Sequence, residues 1–103
     1  FSCIDDSGFE AAFNAHDRQQ VVLCGMESHA CVVQSVLSML DKGLEVFVVA
    51  DAISARNPLD TEIALRRVER AGAQLVTREM VGFEWLRGSD AAEFRTFSKE
   101  FLR

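Results

Sequence analysis

With 103 residues, the chain is long enough for one compact domain and too short for two. Apolar residues make up 49% and charged residues 26%, an ordinary globular balance. The net charge of −5 supplies no basic face for phosphates, and no apolar run approaches the roughly 20 residues that cross a bilayer, so neither nucleic acid nor membrane is the expected partner.

In chain order, Phe1-Ser2-Cys3-Ile4 leads into a helix over about Gly8 to His16. This opening segment carries Asp5 and Asp6 and lacks the basic leader of a signal peptide; it starts with Phe rather than Met, which leaves a longer N-terminus open. Val21 to Cys24 is short, apolar and rich in β-branched residues and ends at Gly25. It reads as a strand buried on both faces, the pattern of a parallel sheet, with Cys24 in the core. Ser28 is placed to cap the next helix, whose apolar stripe is Val32, Val33, Val36, Leu37 and Leu40 and whose stop is Gly43.

Leu44 to Ala50 is a second buried strand, and residues 51–59, with the only proline, form a loop. Asp60 or Thr61 opens a helix with the stripe Ala64, Leu65, Val68 and Ala71, and Gly72 ends it. Glu62 and Arg66 stand at i,i+4 for an ion pair. Gln74 to Thr77 is a third strand; Glu79 to Leu86 carries Phe83, Trp85 and Leu86. After a polar patch, Arg87 to Asp90, a last helix places Phe94, Phe97, Phe101 and Leu102 on one side, for packing on the sheet or on a second subunit.

Strand, helix, strand, helix, strand with short connections predicts an α/β fold, a three-layer α/β/α arrangement around a parallel, Rossmann-like sheet. Strands with two apolar faces need neighbours on both edges, and the residues before Val21 are too few to supply them. Further N-terminal strands are therefore expected outside this sequence. Residues 1–103 then form the C-terminal part of a single domain.

Three cysteines, Cys3, Cys24 and Cys31, do not suggest a disulfide framework, and neither their spacing nor the separated His16 and His29 matches a zinc site. A reducing cytoplasm is the expected location. Gly25 to Val32 carries the most chemistry: a glycine ends a strand, a short turn follows, and Cys31 enters the first turn of a helix. That puts a thiol at the C-terminal edge of a parallel sheet, where such folds keep ligand clefts, beside helix N–H groups that favour a thiolate. Packing of a small residue between helix and strand is the competing reading, which the residues alone slightly favour.

The segments Gly25 to Val32, Gln34-Ser35 and Gly43 to Val46 resemble the signature of the isochorismatase-like hydrolase superfamily. Asp51 to Arg56, Ala64-Leu65, Ala71 to Ala73 and Thr77 to Met80 continue the resemblance in order; the Glu27-Ser28-His29 turn is more similar to its uncharacterised hydrolase branch than to the nicotinamidases. The resemblance implies a catalytic cysteine, aspartate and lysine. Cys31 matches the cysteine; the other two would precede Phe1, so the chain in isolation is expected to be inactive. It further implies covalent catalysis on a small amide or related acyl C–N bond, an oxyanion hole from the backbone N–H groups of Glu27 and Cys31, a cis Met26–Glu27 peptide, and Phe1 as a pocket wall. No cofactor and no metal ligand set is assigned within the chain. A small-molecule substrate and a homo-oligomer are expected. The alternative is a non-catalytic binding or assembly module of the same fold.

For the remaining candidates the residues leave two readings each. His29 either lines the pocket mouth or is an exposed first-turn residue. Asp51 shapes the site or caps the loop after it, and Arg56 meets an acidic group in the cleft or across a subunit contact. Cys3 reaches the cleft or packs.

Overall fold

The computed structural model describes residues 1–102. A short 3-10 turn, Cys3–Asp5, precedes α1 (Ser7–Asn14), whose first turn is capped by the Asp6 carboxylate accepting from Phe9 N–H at 2.9 Å. Then follow β1 (Gln20–Met26), a single wide π turn (Ser28–Val32), α2 (Val33–Asp41), β2 (Glu45–Ser54), α3 (Pro58–Ala71), β3 (Gln74–Val76), α4 (Arg78–Leu86) and α5 (Phe94–Phe101).

The three strands form a parallel sheet in the order β1-β2-β3, with Val21 opposite Val46, Leu23 opposite Val48, and Val48 opposite Leu75. Helices flank both faces, as the strand–helix alternation predicts. On one face, Val46, Val48 and Ile53 of β2 pack with Val32, Val33, Val36 and Met39 from the π turn and α2, and with Ala64 and Val68 of α3. Ile4 joins this core, and Cys3 N–H donates to Ser35 Oγ at 3.0 Å, tying the N-terminal turn to α2. On the other face, Cys24, Val49 and Ala52 look into an apolar cavity of about 620 Å³ walled by α4 and α5.

Several boundaries differ from the sequence reading. The strand β2 runs through Asp51 to Ser54, residues read as loop, because the register with β1 shifts after Leu23 and Gly25 pairs with Ile53 and Met26 with Ser54. Gly25 carries this shift at φ 125°, a conformation that L side chains rarely adopt. The helix α3 opens at Pro58 rather than Asp60, with the Asn57 side chain accepting from Leu59 N–H at 2.9 Å. Gly72 ends it in the left-handed region, φ 118°, as the sequence predicts. The strand β1 is not buried on both faces: its residues alternate, with Val22, Cys24 and Met26 exposed. Cys24 is thus a cavity-lining residue and not a core one, since α4 and α5 stand off from β1 instead of covering it.

Candidate nucleophile turn

The site is the turn that leaves the C-terminal end of β1. The Met26–Glu27 peptide is cis. The Glu27 carbonyl accepts from Ala30 N–H at 3.1 Å and from Val32 N–H at 3.2 Å, which closes the wide turn and delivers the chain into α2. Cys31 is the fourth residue of that turn, and it is exposed. It therefore stands before α2, not within the first turn of a regular α-helix.

Three consecutive side chains, Glu27 to His29, reach the connection between β2 and α3 and the first turn of α3. One carboxylate oxygen of Glu27 accepts from Arg56 twice, from its backbone N–H at 3.1 Å and from Nε–H at 3.0 Å. Those two bonds, the backbone one first, hold the Glu27 carboxyl below its ordinary pKa. The tie is present above the usual carboxylate range and is lost as pH falls through the lowered value. Ser28 is fully buried, and its hydroxyl meets Thr61 Oγ1 at 2.8 Å. His29 Nε2 faces Asp60 Oδ2 at 3.8 Å.

Ser28 therefore does not cap the following helix. The turn's leading position is Glu27, with no side-chain cap, and the Ser28 hydroxyl is spent on Thr61. Arg56 resolves to a partner within the chain, Glu27. The Asp51 carboxylate is engaged with α4 and not with its own loop: it accepts from Arg78 N–H at 2.8 Å. The roles of Asp60 and Thr61 were not legible, because their partners lie about thirty positions upstream and no local pattern records the contact.

His29 lines a cavity of about 460 Å³ on the outer side of α2 and α3, with Val33, Gln34, Leu37, Asp60 and Arg67 among its walls. Cys31 lines neither this cavity nor the apolar one under α4 and α5. Phe1 is 82% exposed and lines neither; its α-amine lies 3.6 Å from Asp5. Among the described residues, no group of three or more His, Cys, Asp and Glu side chains is placed to hold a metal ion, and no helix is long and apolar enough to cross a membrane.

Comparison with known proteins places this geometry. The family model described as the isochorismatase domain matches residues 1–80. The secreted isochorismatase effector Isc1 of Phytophthora sojae is 38% identical over 86 residues, 84% of this chain and 41% of that protein. Among solved structures, YcaC from Pseudomonas aeruginosa, determined with hexane-2,5-diol and covalent acrylamide, superposes with a TM-score of 0.89 at 34% identity, over 95% of this chain and 50% of that one. The Escherichia coli YcaC structure, described as an octameric hydrolase of unknown specificity, gives 0.87 at 34% identity over 94% and 49%. A structure titled MAR1 ribonuclease from Caenorhabditis elegans gives 0.87 at 35% identity over 99% and 52%. The chain spans about half the length of the curated relatives it matches. On the match over residues 1–80 and these likenesses, the chain belongs to the isochorismatase family.

Proposed function

We propose that this chain, as the C-terminal part of a single domain, carries the nucleophile of a cysteine hydrolase acting on a small amide or related acyl C–N bond. One observation supports the reading most: Cys31 is an exposed thiol in the turn leaving the sheet's C-terminal edge, in a chain of this family. The Cys31 thiolate attacks the carbonyl carbon, an S–C bond forms, and the carbonyl electrons move to oxygen. The backbone N–H groups of Glu27 and Cys31 receive that oxyanion. Collapse breaks the C–N bond, the amine leaves with the proton that the thiol gave up, and water adds to the thioester, which releases the carboxylic acid and returns the thiol.

The aspartate and lysine that the resemblance implies are assigned to no residue of this chain, and the 103 residues alone are expected not to turn over. The substrate is a small molecule. Support for a nucleophile also comes from the covalent acrylamide in the related P. aeruginosa structure, acrylamide being an acceptor for thiolates. The octameric relative supports a homo-oligomer, and a cytoplasmic location belongs to the same reading. The ribonuclease named in the titles of three related structures is not adopted, because a chain of net charge −5 offers little to a phosphate backbone.

Competitive labelling with limiting iodoacetamide tests the assignment. Both Cys24 and Cys31 are exposed, and Cys24 faces the apolar cavity, so each rate is read against the rate of the same cysteine in the urea-unfolded chain. Peptide mass spectrometry should show Cys31 alkylated first. Equal rates at the two cysteines point to the binding or assembly module instead and sink the nucleophile.

A further inference from the structure

The turn 27–31 is tied outward by its side chains, and those ties have no counterpart in the chemistry above. The Glu27 carboxylate holds Arg56, the buried Ser28 hydroxyl holds Thr61, and His29 faces Asp60, three successive residues reaching one segment, Arg56 to Thr61. Meanwhile the Glu27 carbonyl is fixed from inside by two N–H groups of the turn. The peptide planes on either side of Glu27 are thereby set by contacts on both of its ends.

We propose that Glu27, through its side chain, and Ser28 are positioning residues: they lock the turn onto the start of α3 and so aim the Glu27 and Cys31 N–H groups at the substrate oxygen. This rests on the proposed role of Cys31. Oxyanion donors act only when fixed within a few tenths of an ångström of the developing charge, and a misplacement of about 1 Å can cost on the order of 100-fold. Glu27 alone cannot hold its donor in place, because its side chain is partly exposed and the wide turn lacks a side-chain cap. Arg56 supplies a two-point anchor, and Ser28 with Thr61 supplies a part-buried one.

Two reactions of one thiol separate aim from reactivity. Acetylation of Cys31 by p-nitrophenyl acetate passes through a tetrahedral oxyanion: the S–C bond forms, the C–O bond breaks, and p-nitrophenolate leaves. Alkylation by iodoacetamide displaces iodide and builds no charge on a carbonyl oxygen. Both rates are read at Cys31 by mass spectrometry on the full chain at pH 7–8, where Glu27 is ionised. In Glu27→Ala the ratio of acetylation to alkylation should fall roughly 10- to 100-fold. Glu27→Gln, whose amide oxygen still accepts from Arg56, should recover most of it, and Thr61→Val should lower it with alkylation unchanged. Circular dichroism checks that each variant folds, and Glu27→Gln and Thr61→Val carry the test if Glu27→Ala does not. An unchanged ratio across the folded variants overturns the positioning role and leaves the nucleophile standing. A wild-type Cys31 that is alkylated but never acetylated overturns both.

Discussion

The two helical layers on either side of the sheet are held by different means. The layer of α2 and α3 is a dry, interlocked core in which Val36, Met39, Val46, Val48 and Val68 have at most 1% of their surface exposed. The layer of α4 and α5 contains no fully buried residue. Aromatic contacts hold it together: Phe83 stands edge-on to Phe97 at 5.3 Å, and Phe97 packs on Phe101 at 5.7 Å. It arches over the sheet and leaves the apolar cavity beneath, with Trp85 75% exposed. The match to the isochorismatase domain covers the first layer and ends within α4, at residue 80. The turn that carries Cys31 grows from the first layer, through Val32 and the Ser28–Thr61 contact. Stability and site geometry are thus invested in one layer, and the other should be separable from both.

The largest expected effect lies in the dry layer. Met39 is 1% exposed and fills the space between α2 and the sheet. Met39→Ala should cost about 2–5 kcal/mol, the range for deleting a buried Met side chain and leaving a cavity. Urea denaturation measures it. In the same experiment Trp85→Ala, at the open rim of the cavity and 75% exposed, should shift stability by no more than about 0.5 kcal/mol. A Met39→Ala loss as small as that of Trp85→Ala would erase the distinction between the layers.

A smaller effect should separate the second layer from the site. Phe97 is half-buried and touches Phe83 and Phe101. Phe97→Ala should lose about 1–2 kcal/mol through apolar area and ring contacts. Trp85 fluorescence should change, while the rate of Cys31 alkylation stays at the wild-type value. A changed alkylation rate would show that α4 and α5 act on the turn after all.

The first layer was also the more legible. Its strands are short runs of β-branched residues, its helices repeat apolar residues at i, i+3 and i+4, and Gly72 stops α3 as a left-handed cap should. Asn57-Pro58, a cap followed by a proline at the first helical position, is the start signal, two to three residues ahead of the expected Asp60 or Thr61. What stayed hidden depends on contacts distant in sequence. The length of β2 follows from re-pairing with Gly25 and Met26 after a bulge, and the burial of Ser28 follows from Thr61, 33 residues on. The exposure of Cys24 follows from how α4 and α5 stand off from β1, which an apolar strand sequence does not encode. For the site, the turn and its cysteine were readable, and the anchors Thr61 and Asp60 were not.

The smallest expected effect sharpens why the first layer is strong. Glu62 and Arg66 form the ion pair that their spacing predicts, Arg66 Nη2 to Glu62 Oε1 at 2.6 Å on the outer face of α3, with both side chains more than half exposed. Water screens such a pair, and ordering two long side chains offsets most of the attraction. A double-mutant cycle of Glu62→Ala and Arg66→Ala should give a coupling of about 0.3–0.5 kcal/mol, falling with added salt. The inner face of the same helix, through Ala64 and Val68, carries the packing instead. A coupling above about 1 kcal/mol that persists in high salt would mean that α3 is held in part by its charged surface. The comparison between layers would then have to be drawn on electrostatics as well as on burial.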